Sequence, residues 1–189
     1  NPEGPPRGIW YGLTQWEITL AEMLSDTGYA TGMFGKWHLG DAEGRYPTDQ
    51  GFDEWYGIPN SSDQAFWPDS DSFQNDAGVE FTRIMTSKRN QKPEKHEVYG
   101  RAKRASIDRD ITDHALDFIS RKAKTKQPFF AYLPYTQTHE PVDAHPDFKG
   151  KTGNGSFADV LAQTDVYVGE LLALVDDLGL KDNTIFIFT

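Results

Sequence analysis

The sequence predicts an α/β domain with a mainly parallel central sheet and helices on both faces. Two observations carry this. Helical and strand-like patterns alternate three times along the chain, which is the order that builds a sheet covered by helices. The polar clusters fall just beyond the ends of the strand-like runs, where open α/β sheets hold their ligands.

The elements follow in order. Thr14-Gln15-Trp16-Glu17 has the form of a capping box, so a helix is expected from there to about Thr27, with Ile18, Leu20, Ala21 and Leu24 as its apolar face and Gly28 at its end. Tyr29 to Phe34 reads as a short strand ending at Gly35. From about Gly40 to Arg104 the chain is rich in Asp, Ser, Asn, Gly and Pro, with scattered aromatic residues and little periodicity, and reads as long loops with short elements. Between Asp108 and Lys124, Ile111, Ala115, Phe118 and Ile119 return at helical spacing. Pro128 breaks that pattern before a buried strand at Phe129-Phe130-Ala131-Tyr132-Leu133. After a polar loop carrying His139 and His145, the positions Val160, Thr164, Val168, Leu171, Leu172 and Val175 mark a helix that stops at Gly179. Thr184 to Thr189 alternates β-branched and aromatic residues like a buried strand, with no turn after it. The opening Asn1-Pro2-Glu3-Gly4-Pro5-Pro6 reads as loop. The expectation is part of a domain, residues 1–189, incomplete at both ends.

Composition narrows the function classes. The 189 residues are enough to bury a core. Nineteen Lys plus Arg against 29 Asp plus Glu give a net charge of −10 with no basic block, so nucleic acid is not an expected partner. No apolar run approaches the roughly 18 residues needed to span a bilayer. The absence of cysteine excludes internal disulfides and thiolate metal sites. Asn60-Ser61-Ser62 and Asn154-Gly155-Ser156 have the form of glycosylation triplets but are short enough to arise by chance.

The densest chemical candidate is Gly28-Tyr29-Ala30-Thr31-Gly32-Met33-Phe34-Gly35-Lys36-Trp37-His38-Leu39-Gly40. A Lys and a His two apart at a strand end project to the same side, and flanking glycines let the backbone approach a ligand. His96, His114 and His145 read as ordinary solvated or structural residues, with His145 best placed to line a pocket mouth. Trp55, Phe66 and Trp67 offer material for a substrate wall but read more simply as loop packing.

The Gly35-Lys36-Trp37-His38-Leu39-Gly40 core resembles the second signature of the type I sulfatase family. The stretch from Tyr46 to Gly57, with Gly51-Phe52-Asp53 and Tyr56-Gly57, is similar to the segment downstream of that signature in arylsulfatases. Pro128 to Pro141 resembles the family's strand and His-x-Pro loop, and Asp165 to Gly169 with Leu178 to Thr184 resembles the helix and strand leading to its late metal-binding loop. The resemblance implies an alkaline-phosphatase-like fold and hydrolysis of sulfate esters. It implies that Lys36 contacts the sulfate oxygens and the formylglycine nucleophile, that His38 hydrogen-bonds the formylglycine hydroxyl and assists sulfate release, and that His139 binds the sulfate and protonates the departing alcohol. It also implies a formylglycine-bearing motif and an Asp-Asp pair before Asn1, and an Asp-Asn pair after Thr189. The Ca2+ ligands are therefore expected outside this chain, with no metal ligand within it. The implied partner is a sulfated small molecule or glycan, and the implied location periplasmic, secreted or lysosomal. Two rivals stay open: an inactive sulfatase-like binding protein, and a phosphonate or phosphate monoester hydrolase of the same superfamily.

Overall fold

A computed structural model describes residues 12–62 and 81–189. Among these residues lie five strands, β1 Ala30–Lys36, β2 Glu54–Ile58, β3 Arg83–Lys88, β4 Glu94–Val98 and β5 Phe129–Tyr132, in one sheet of order β4-β3-β2-β1-β5. The centre is parallel, as expected: β1 pairs with β2 (Gly32 opposite Glu54, Lys36 opposite Ile58) and with β5 (Ala30 opposite Phe129). β3 and β4 form an antiparallel hairpin beside β2 and make the sheet mixed. They are short elements of the stretch that reads in sequence as long loops with short elements. β4, Glu94–Val98, is charged and exposed over most of its length, so it lacks the apolar alternation by which strands are recognised. Its exposure and charge suit an edge strand.

Strand alternation sorts the core into two layers. Ala30 and Phe34 of β1, Tyr56 and Ile58 of β2 and Ile84 of β3 face a long helix, α2 (Arg101–Thr125), through its Ile107, Ile111, Ala115 and Phe118. A third helix, α3 (Ser156–Asp177), backs that layer with Leu171 and Val175. Met33, Trp55 and Met85 point to the other face, where they meet Trp37, Phe52 and Ala21 of the short helix α1 (Leu20–Asp26). Helices thus lie on both faces. Trp55 is 2% exposed in this second layer, so it is core and no substrate wall; Phe66 and Trp67 lie outside the described residues.

The first helix starts later than its sequence suggests. The capping box is Thr19 with Glu22: the Glu22 amide donates to Thr19 Oγ1 at 3.1 Å and the Thr19 amide to the Glu22 carboxylate at 2.7 Å. Thr14 to Glu17 instead forms a turn, with the Glu17 amide donating to the Thr14 carbonyl at 3.1 Å. Trp16 and Ile18 are 77% and 78% exposed, so that stretch has no buried face to hold a helix down. Thr19 Oγ1 also donates to the Gln50 carbonyl at 2.8 Å, which ties the helix start to the body of the protein.

The other helix boundaries carry two further corrections. α2 starts at Arg101, seven residues before the periodicity begins, because two inward positions of its first turns are Arg104 and Asp108, 1% and 2% exposed. α3 ends at Asp177, just before Gly179, as expected, but its buried face includes Gln163 and Tyr167 while Leu172 is exposed. Residues 184–189 form no strand: Ile185, Ile187 and Phe188 are 78 to 88% exposed and find no ladder partner among the described residues. No described helix is long and apolar enough to cross a membrane.

Candidate active site

The three candidate residues sit at one edge of the sheet, at the C-terminal ends of the adjacent strands β1 and β5. Lys36 closes β1 and is half-buried, and His38, two residues on, is exposed with φ of 55°. Main-chain bonds fix this exit. The Lys36 amide donates to the Pro134 carbonyl beyond β5 at 2.9 Å, and the Trp37 and His38 amides donate to the Ile58 and Pro59 carbonyls at the end of β2, at 2.9 and 2.8 Å. Between the two polar residues, Trp37 turns to the opposite face. It is 6% exposed, its Nε1 donates to the Arg45 carbonyl at 2.8 Å, and its ring meets Phe52 edge-on at 6.4 Å.

Two glycines permit this convergence. A Cβ on Gly35 would lie 2.2 Å from the Pro134 carbonyl oxygen, and one on Gly57 would lie 1.9 Å from the Gly35 oxygen. Any side chain at either position would push the three strand ends apart.

His139 is exposed on the loop that follows β5. Its Nδ1 lies 2.8 Å from the Glu140 carbonyl oxygen. A carbonyl only accepts, so Nδ1 carries a hydrogen in this contact. The loop backbone is gripped by two charged side chains of α2. Arg104 donates to the carbonyls of Thr136 (3.1 Å), His139 (2.8 Å) and Pro141 (3.1 Å), and to Thr136 Oγ1 (2.5 Å) and Gln137 Oε1 (2.9 Å). Asp108 accepts from the Thr136 amide and hydroxyl, both at 2.9 Å, and from the Gln137 amide at 3.1 Å. Burial pushes the Asp108 carboxyl upward, against the pull of the Thr136 donors and of the Arg104 charge. Removing one partner of a buried charge pair typically costs about 3–5 kcal/mol, because the other charge stays behind unpaired.

A third segment completes this edge. Asn60, Ser61 and Ser62 follow β2 and are all buried, with Asn60 Nδ2 donating to the Asp41 carboxylate at 2.9 Å and Ser62 Oγ bonded to the Tyr99 hydroxyl at 2.9 Å. Tyr99, fully buried, has its pKa raised chiefly by desolvation and stays a neutral phenol. Tyr135, one residue before Thr136, bonds Thr112 of α2 at 2.9 Å, and burial pushes its pKa up to about 12.

The sequence points to Lys36, His38 and His139 but not to Arg104, Asp108 and Tyr99, whose polarity hides their burial. The other histidines lie elsewhere. His96 stands on β4 and bonds Thr86 Oγ1 through Nε2 at 2.8 Å. His114 of α2 stacks on Tyr56 with ring centroids 3.9 Å apart. His145 is anchored by its amide to Gln163 Oε1 at 2.8 Å. Among the described residues no group of three or more His, Cys, Asp or Glu is arranged to hold a metal ion. The described residues by themselves therefore do not make a calcium cage.

The sequence beyond these contacts decides the family. Residues 4–189 match the profile of the Sulfatase family. The chain belongs to the sulfatase family. This sulfatase-family chain is 33% identical to N-acetylgalactosamine-6-sulfatase of Canis lupus familiaris over 184 residues, covering 97% of this chain and 34% of that protein. It is 34% identical to arylsulfatase A of Homo sapiens over 185 residues, covering 94% and 36%. The chain thus spans about a third of the length of these relatives. Among solved structures, the sulfatase PsFucS1 from Pseudoalteromonas sp. superposes with a TM-score of 0.77 at 26% identity, over 86% of this chain and 35% of that one. Ps i-CgsB in complex with k-i-k-neocarrahexaose superposes with a TM-score of 0.73 at 26% identity, over 95% and 41%.

Proposed function

We propose that the protein carrying this chain hydrolyses sulfate esters of glycans or small molecules, and that this chain supplies Lys36, His38 and His139 to the reaction as part of its catalytic domain. What supports the reading is the sulfatase-family match over residues 4–189 together with the meeting of the Lys36 and His139 segments at one sheet edge, where the Lys36 amide bonds the Pro134 carbonyl. A sulfated glycan is favoured because the relatives named for a substrate act on a sulfated sugar. Formylglycine and calcium, which the family implies, come on this reading from other segments. The location is periplasmic, secreted or lysosomal by the same resemblance.

The roles follow from charge and position. As the bond between sulfur and the leaving oxygen breaks, negative charge grows on the sulfate oxygens. An ammonium fixed at the end of β1 stabilises that charge without reorganising. His139 keeps its Nδ1 hydrogen on the Glu140 carbonyl, so the protonated ring gives its second proton, the one on Nε2, to the departing oxygen and is left as the neutral Nδ1–H imidazole. By the family resemblance, His38 would accept the proton given up by the hydroxyl of the nucleophile, which another segment supplies, as sulfate leaves.

The test is sulfate release, read by ion chromatography, from aryl, alkyl and sugar sulfates incubated with the full-length protein. Release from at least one ester is expected, with Lys36→Ala lowering kcat by about 10²–10³-fold. Faster turnover of phosphate monoesters, or sugar sulfates bound without release, would overturn the reading.

A further inference from the structure

Arg104 and Asp108 form a buried charged cluster that the reaction scheme above does not use, and their hydrogen bonds run almost entirely into one short loop. The five groups that receive Arg104 are the Thr136, His139 and Pro141 carbonyls, the Thr136 hydroxyl and the Gln137 amide oxygen. Asp108 takes the Thr136 and Gln137 amides and the Thr136 hydroxyl. Thr136 Oγ1 therefore accepts from the arginine and donates to the carboxylate, so the two charges share one hydroxyl as their joint.

The grip reaches the histidine's own backbone. Arg104 holds the His139 carbonyl at 2.8 Å, and the ring nitrogen Nδ1 is fixed 2.8 Å from the next carbonyl, that of Glu140. Two consecutive peptide groups thus set the height and the rotation of the imidazole. A helix interior supplies the grip: Arg104 and Asp108 are one turn apart on α2, on the face that also carries Ile107 and Ile111 into the core. Lysine could not replace the arginine, since one ammonium has three donors on a point and cannot span a fork of acceptors drawn from four residues.

We infer that Arg104, backed by Asp108 through Thr136, is a positioning residue that sets His139 Nε2 for proton delivery to the leaving oxygen. The inference rests on the proposed role of His139 as the acid. It predicts a signature that mere loosening of the fold would not give. A proton donor matters most when the leaving group is a poor one, so loss of positioning should weigh on esters of weakly acidic alcohols far more than on esters of acidic phenols.

The experiment compares two sulfate esters that the full-length protein turns over, one of an acidic phenol and one of a sugar or alkyl alcohol. His139→Ala is expected to lower kcat about 100-fold or more on the alcohol ester and by less than about tenfold on the phenol ester. Arg104→Lys is expected to show the same grading in smaller measure, about 10–100-fold against less than about threefold, with KM little changed. The double variant should be no slower than His139→Ala alone. Thr136→Val removes the shared hydroxyl with little change in shape, and repeats the grading if Arg104→Lys does not fold. Equal losses on both esters in folded Arg104→Lys or Thr136→Val, beside a graded loss in His139→Ala, would overturn the positioning role alone. An ungraded loss in His139→Ala would overturn the acid role, and the positioning role with it.

Discussion

The segment leaving β1 and the loop leaving β5 end side by side at the same sheet edge, yet they are held in different ways. Lys36 and His38 are held by their own main chain: three successive amides donate to neighbouring strand ends, and Trp37 anchors the interval between them in the second core layer. His139 is held by side chains from a helix that precedes it by about 35 residues in the chain, with Arg104 and Asp108 as the grip. The first device is written into a contiguous run of residues. The second depends on a tertiary contact, and its parts are polar residues in a helix that otherwise reads as amphipathic.

The sharpest way to test that contrast is to remove function without touching the scaffold. Lys36 is half-buried, and the hydrogen bond that fixes its position is made by its backbone, so Lys36→Ala leaves the strand exit in place. The expected outcome in the full-length protein is a fall in kcat of about 10²–10³-fold with an unchanged denaturation midpoint. A loss of stability of more than about 1 kcal/mol would mean that the lysine is part of the scaffold after all.

Next in size is the effect of forcing the strand ends apart. Gly57→Ala places a methyl 1.9 Å from the Gly35 carbonyl oxygen, a backbone atom that cannot swing away. The expected loss of stability is on the order of 3 kcal/mol. Gly28→Ala makes the useful control, since that glycine also has positive φ, 94°, but nothing lies within 4 Å of the added carbon. Its cost is expected near 1 kcal/mol. Urea titration of both variants separates close approach from backbone conformation. Equal losses would show that the crowding at Gly57 is relieved by a small shift of the sheet.

These cases show why part of the molecule is legible from its residues and part is not. Lys36 and His38 lie in a contiguous motif with its glycines, and the parallel strands β1 and β5 read directly from apolar runs. The α2 helix is visible from Asp108 onward because Ile111, Ala115, Phe118 and Ile119 repeat at helical spacing. Its first turns escape because Arg104 and Asp108 occupy buried positions that a hydrophobic pattern scores as solvent-facing. The β3–β4 hairpin escapes for the opposite reason: β4 is exposed and charged, so it has no apolar stripe to find. The capping box reads five residues early because Thr14 and Thr19 carry the same pattern. The exposure of Trp16 and Ile18 and the contact of Thr19 with Gln50 distinguish them, and neither is visible in sequence.

A second arginine offers a milder version of the Arg104 grip at the opposite end of the strands. Arg89 bonds Asp53 at 2.9 Å, the Gly51 carbonyl at 2.6 Å and Ser25 Oγ at 2.9 Å, drawing together the end of α1 and the entry to β2. Its side chain is 36% exposed, so water replaces much of what a truncation removes. Arg89→Ala is expected to cost about 1–2 kcal/mol in a thermal or urea melt and to leave kcat and the leaving-group dependence of the full-length protein unchanged. A graded kcat loss like that of Arg104→Lys would show that stiffness of the whole sheet, and not the local grip, governs His139.

The smallest effect concerns pH. His114 of α2 stacks on Tyr56, and desolvation lowers its pKa below the ordinary value of 6.5, against the opposing pull of Asp110, Asp117, Glu54 and Asp113. A base whose folded pKa lies below its unfolded value binds fewer protons in the native state. The contribution of His114 to stability is therefore complete above about pH 6.5 and is lost as pH falls from there toward the lowered folded value. His114→Phe keeps an aromatic ring against Tyr56 and removes the titration. Stability measured by urea titration at stepped pH should decline less steeply in the variant than in the parent as pH falls below about 6.5, while the two run parallel above about pH 7. Parallel curves through the acid window would mean that the surrounding carboxylates offset the desolvation of the ring, leaving the histidine equally protonated in both states.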